Sequence, residues 1–125
     1  MKKLILITSL IFVSNGWAVD HSDLDRSINS HQQQFEKIAM QIWDIAEVGY
    51  QEYQSSSLLK ESLAKEGFRI EENVANIPTA FIAEYGKGSP VIGILGEFDA
   101  LPGLSQSAVP FKESYKDNIA GHACG

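Results

Sequence analysis

The sequence predicts an α/β fold, and three observations carry that expectation. Apolar residues first recur at helical spacing, then switch to alternation with charged residues, and then run continuously between turn signals. No internal repeat and no linker divides the 125 residues.

The first helix is laid out by Leu24, Ile28, Phe35, Ile38, Ile42 and Ala46, one stripe along about six turns. Trp43 and Ile45 widen the stripe near its end, and Gly49 is expected to supply the left-handed stop. A second helix is expected from about Gln51 to Glu66, with Leu58, Leu59 and Leu63 inward and Gly67 as its stop. The period then changes to that of strands. "FRIEENV" alternates, "TAFIAEY" is rich in β formers, "GKGSP" is a turn and "VIGILGEF" is an apolar run, which predicts three strands with the last two forming a hairpin. After Asp99 the text "ALPGLSQSAVPFKESYKDN" has no sustained period and predicts a long loop of the kind that serves or covers a site.

Residues 1–18 combine Lys2 and Lys3, the apolar run "LILITSLIFV" and the small residues Gly16 and Ala18, the pattern of a secretory signal peptide. A ten-residue run with eight apolar residues, broken by Thr8 and Ser9, falls short of the roughly 20 that span a bilayer, so no membrane anchor is expected. The expectation is an exported protein, periplasmic or secreted, with residues 19–125 as its mature part. Loss of two lysines leaves eight basic against sixteen acidic residues, a net charge of −8. That sign disfavours binding to nucleic acid or to anionic membranes. A single cysteine, Cys124, is unusual in an oxidising compartment unless it pairs between chains or is held by a metal.

Two places could carry chemistry. Glu97 and Asp99 stand two apart at the end of an apolar strand, so extended geometry points both carboxylates to one side, although acids also simply end strands and start turns. His122 and Cys124 close the chain in "GHACG". They admit three readings: metal ligands, a thiol nucleophile with its base, or a terminal tail without a role.

The stretches "IWDIAEVGYQE", "NIPTAFIAEYGKGSPVIGILGEFDALPGLSQ" and "GHACG" together resemble the amidohydrolase branch of the aminoacylase/carboxypeptidase metallopeptidases, from about Phe35 to Gly125. The resemblance implies the N-terminal part of a three-layer αβα mixed-sheet catalytic domain. It implies metal-dependent hydrolysis of the amide bond in N-acyl amino acids or aminobenzoyl-glutamate-like conjugates, with a divalent ion, zinc or manganese. In that family the motif reads Gly-His-x-Cys-Gly-His, so Cys124 matches a metal ligand and His122 the motif's first histidine, which is not assigned as a ligand. Asp99 matches a catalytic aspartate. Glu97 stands where other branches carry a histidine, and an acid there is typical of this branch, which makes it the weaker catalytic candidate. The general base, the remaining ligands and a lid or dimerisation domain lie downstream in the family. The expectation is therefore a chain truncated inside its metal motif, inactive alone and binding metal weakly or not at all. It takes a small amide or peptide substrate and forms homo- or hetero-oligomers in its complete form. The rival is an exported module that binds peptides or pairs with another polypeptide through an unfinished sheet edge.

Overall fold

A computed structural model describes residues 21–115 and 119–123. The expected signal peptide, residues 1–18, and Cys124 lie outside the described residues. The chain divides into two compact units, residues 1–30 and 31–125.

Helix α1 runs Ser22–Ile45. In the first unit its opening turn carries Asp23 and Asp25, acids that favour the positive end of the helix dipole, and Asp23 pairs with Arg26. In the second unit Gln32 donates to Glu36 at 2.7 Å and His31 stacks on Phe35 at 5.9 Å between centroids. The helix does not stop at Gly49 as expected. It ends at Ile45, and Ala46 takes the left-handed conformation (φ 50°) while its amide donates to the Ile42 carbonyl. The amide bond closes the last turn whether or not the residue is glycine, so the stop moves to the end of the apolar stripe.

Helix α2, Tyr53–Lys65, and its stop agree with the sequence: Gly67 has φ +87°, and the Gly67 and Phe68 amides reach back to the Ala64 and Leu63 carbonyls. Leu58, Leu59 and Leu63 are half-buried, while Ser55 and Ser56 are buried. Strand β1, Arg69–Glu72, pairs antiparallel with β2, Phe81–Glu84, in the register Arg69↔Glu84 to Glu72↔Phe81. The reversal between them runs over residues 73–80 and contains a 3-10 turn at Val74–Asn76, with Asn73, Ala75 and Asn76 at positive φ. Asparagine tolerates that conformation better than most residues.

The hairpin thus joins the first two predicted strands, and the expected pairing of "TAFIAEY" with "VIGILGEF" does not form. Residues 91–99 have no ladder partner among the described residues, because an apolar run of this kind needs neighbours on both edges and layers on both faces. Within the run the Phe98 ring lies 6.3 Å from that of Phe81, and just after it Ala100 forms a parallel bridge with Val48 and donates to the Glu47 carbonyl at 2.7 Å. The chain then enters β3, Leu101–Pro102, which pairs antiparallel with β4, Ala120–Gly121. Two helices with short antiparallel strands make this an α/β segment, as the sequence predicts. Buried positions among the described residues are small or polar: Ala100, Ala120, Gly121, Ser55, Ser56, Thr79 and Glu52.

Candidate functional site

The β3–β4 pair brings the two chemically interesting stretches together. Leu101 faces Gly121 in the ladder, so Glu97 and Asp99, just before β3, and His122 and Ala123, just after β4, converge on one cleft of about 210 Å³. Both predicted carboxylates therefore line the same space, as their spacing implies. Neither is paired with a cation among the described ion pairs, and both are exposed. The Nε2 atom of His122 is buried without a hydrogen-bond partner, which leaves one polar group of the cleft unsatisfied.

Gly121 is glycine for a spatial reason. A Cβ there would lie 2.7 Å from the Leu104 carbonyl oxygen and 3.0 Å from the Ser105 Cα, so this arm of the cleft rests directly on the backbone that follows β3.

Gly49 packs beside Asp99, outside the residues that line the cleft. A Cβ on that residue would stand 3.5 Å from Asp99 Oδ2 and 3.9 Å from Glu52 Oε1, so these two carboxylates border the same spot. Glu52 is buried; its Oε1 accepts from the Tyr50 amide at 2.9 Å and its Oε2 has no partner. The adjacent Glu47 organises the start of α2, accepting from the Gln54 amide at 3.0 Å and the Ser55 amide at 2.9 Å. Burial pushes the Glu47 carboxyl up, but these hydrogen bonds outweigh it and hold the group below its ordinary value. Sequence reasoning missed both glutamates. Glu47 precedes the helix by too many residues to read as a cap, and Glu52 reads as an ordinary polar residue at a helix start.

The described residues do not by themselves fit a metal ion: no three histidine, cysteine, aspartate or glutamate side chains among them converge on one point. The donors nearest to such a role are the carboxylates of Glu97 and Asp99 and the unsatisfied His122 nitrogen. No helix among the described residues is long and apolar enough to cross a membrane.

An α/β segment that ends an apolar run in a pair of carboxylates, and brings a Gly-His-Ala stretch beside them, has clear relatives. The chain belongs to the amidohydrolase/peptidase M20 group. It is 45% identical over 105 residues to one of the subunits of the p-aminobenzoyl-glutamate hydrolase of Escherichia coli (strain K12), a match covering 82% of this chain and 21% of that protein. It is 32% identical over 94 residues to the hippurate hydrolase of Campylobacter jejuni, covering 75% of this chain and 24% of the relative. Thermostable carboxypeptidase 2 of Saccharolobus solfataricus is 35% identical over 91 residues, covering 71% and 22%. The chain thus spans about a fifth to a quarter of the length of these relatives. No family model matches it.

Proposed function

We propose that the whole protein is an exported, metal-dependent amidohydrolase that cleaves the amide bond of N-acyl amino acids or aminobenzoyl-glutamate-like conjugates. Residues 1–18 are its signal peptide and residues 19–125 the N-terminal portion of its catalytic domain. The observation that carries this reading is the shared cleft of Glu97, Asp99 and His122, in a segment whose relatives are hydrolases by name. Asp99 and Glu97 are the catalytic carboxylates. A carboxylate at this place accepts a proton from an attacking water, or orients a neighbouring polar group by accepting its hydrogen bond. Cys124 is a ligand to a divalent cation, zinc or manganese, completed by residues other than those described. The 125-residue chain alone is inactive, and the complete protein assembles with further subunits, as the name of the Escherichia coli relative says of that protein.

A second reading, an interaction module rather than an enzyme, is favoured by one observation: Val91, Ile92, Ile94 and Leu95 stand exposed in a strand-like run. The two separate in a single experiment on the whole protein. Asp99→Ala should lower kcat/KM for an N-acyl amino acid by about 100-fold or more, Glu97→Ala by less, and Cys124→Ser should lose bound metal measured by elemental analysis. Absence of hydrolysis in the unaltered whole protein would favour the module, and undiminished hydrolysis in Asp99→Ala and Cys124→Ser alike would overturn the roles given to these residues.

A further inference from the structure

The cleft has two arms, and they meet through little ladder of their own. The acid arm, residues 97–102, is tied to the end of the α1 region by the Ala100 amide on the Glu47 carbonyl and the bridge to Val48. The histidine arm, residues 119–123, touches the acid arm through a two-residue ladder and the Gly103 amide on the Ile119 carbonyl at 2.6 Å. A ladder that short is marginal unless something else holds it.

Tyr115 supplies what the ladder lacks. The Ser105 hydroxyl donates to the Tyr115 carbonyl at 2.5 Å and accepts from the Tyr115 amide at 2.9 Å. The Tyr115 ring lies 4.2 Å from that of Trp43, and its hydroxyl donates to Asp44 Oδ1 at 2.7 Å. Trp43 and Asp44 lie in the last turn of α1, three to five residues ahead of the Glu47–Val48 segment that anchors the acid arm. Both arms are thus referred to one short stretch, residues 43–48. Ser105 is also the backbone on which Gly121 rests. A shift of the Ser105–Tyr115 pair is passed directly to the residue before His122.

We propose that Tyr115, clamped by Ser105 and seated on Trp43 and Asp44, is a positioning residue that sets the His122 arm of the cleft against the Glu97 and Asp99 arm. It touches no reacting group itself. Its effect on turnover rests on the hydrolase reading, whereas its effect on the arm does not.

The test uses the whole protein, with the alkylation rate of Cys124, the residue that follows Ala123 in the sequence, as its reporter; Cys124 is the one cysteine of the 125 residues, and any cysteine beyond them is replaced first. Tyr115→Phe removes the hydroxyl that bonds Asp44, Ser105→Ala removes both bonds of the clamp, and Ser105→Thr keeps a hydroxyl. Tyr115→Phe should raise the alkylation rate about fivefold, the factor carried by one ordinary hydrogen bond, and Ser105→Ala, which loses two, by more than that. Far-UV spectrum and cooperative thermal transition should persist, and Ser105→Thr should alkylate at the wild-type rate. Hydrolysis should show a lowered kcat with KM unchanged. Should Ser105→Ala fail to fold, Tyr115→Phe decides alone. Wild-type alkylation rates in the folded variants overturn the positioning role even where hydrolysis is present. Altered rates in a protein without amide hydrolysis uphold it and sink the hydrolase reading instead.

Discussion

Residues 47–84 and residues 91–99 both carry strong secondary-structure signals, yet the first stretch forms its helix and ladder among its own residues and the second forms no ladder. In the first, Glu47 holds the opening amides of α2, the Ser56 hydroxyl donates to the Thr79 carbonyl at 2.8 Å, and Lys60 meets Glu72 at 2.5 Å. The β1–β2 ladder forms across residues 73–80. In the second, Ile94 is 95% exposed and Leu95 is 89% exposed, with no ladder partner among the described residues. Apolar periodicity states a preference for strand geometry, but only a partner can satisfy a strand's backbone groups. Helices and tight hairpins find theirs nearby, whereas a sheet's central strand depends on remote sequence.

The largest expected effect follows from the exposed run. The 125-residue chain should self-associate in sedimentation velocity, because an exposed apolar run without ladder partners recruits other chains. Ile94→Lys should disperse those assemblies while changing unfolding free energy by no more than about 0.5 kcal/mol, as exposed substitutions do. A monomeric parent chain, or a loss above about 2 kcal/mol in the variant, would show the run to be covered and would break the comparison.

Next in size is the link inside the self-contained stretch. Ser56 is 2% exposed, and its hydroxyl is the bond from α2 to the segment leading into β2. Ser56→Ala leaves the Thr79 carbonyl without that donor and should cost about 1–2 kcal/mol in urea denaturation, with faster amide exchange along Phe81–Glu84. An unchanged midpoint would mean that the two elements hold together without it.

The same contrast decides how much was legible beforehand. Helix α2, its Gly67 stop and both strands of the hairpin were readable because their signals lie within a few residues of the structure they specify. The pairing was not, since "GKGSP" carries more turn residues than "NVAN", although Asn73 and Asn76 at positive φ were the available sign. At the site, the spacing of Glu97 and Asp99 placed both on one cleft. The residues packed around it come from far along the chain: Glu52 borders Asp99 at Gly49, and Tyr115 stacks on Trp43. No local period records such contacts.

The smallest effect concerns Glu47, whose carboxylate completes the first turn of α2 from outside the helix. Glu47→Gln keeps an acceptor oxygen but removes the charge from the positive end of the helix, and should cost about 1 kcal/mol at neutral pH, the usual worth of a capping group. The pH dependence gives the sharper test. The folded value lies below the ordinary 4.5, so ionisation favours the folded state. Stability from this group is therefore fully present above about pH 4.5 and is lost as the pH falls through the lower folded value. Urea midpoints measured from pH 7 down to pH 3 should fall more steeply for the parent than for Glu47→Gln, the two curves converging at the acid end. Parallel curves over that window would mean that the amides of Gln54 and Ser55 are held equally well by a neutral side chain, and that the charge contributes nothing to the start of α2.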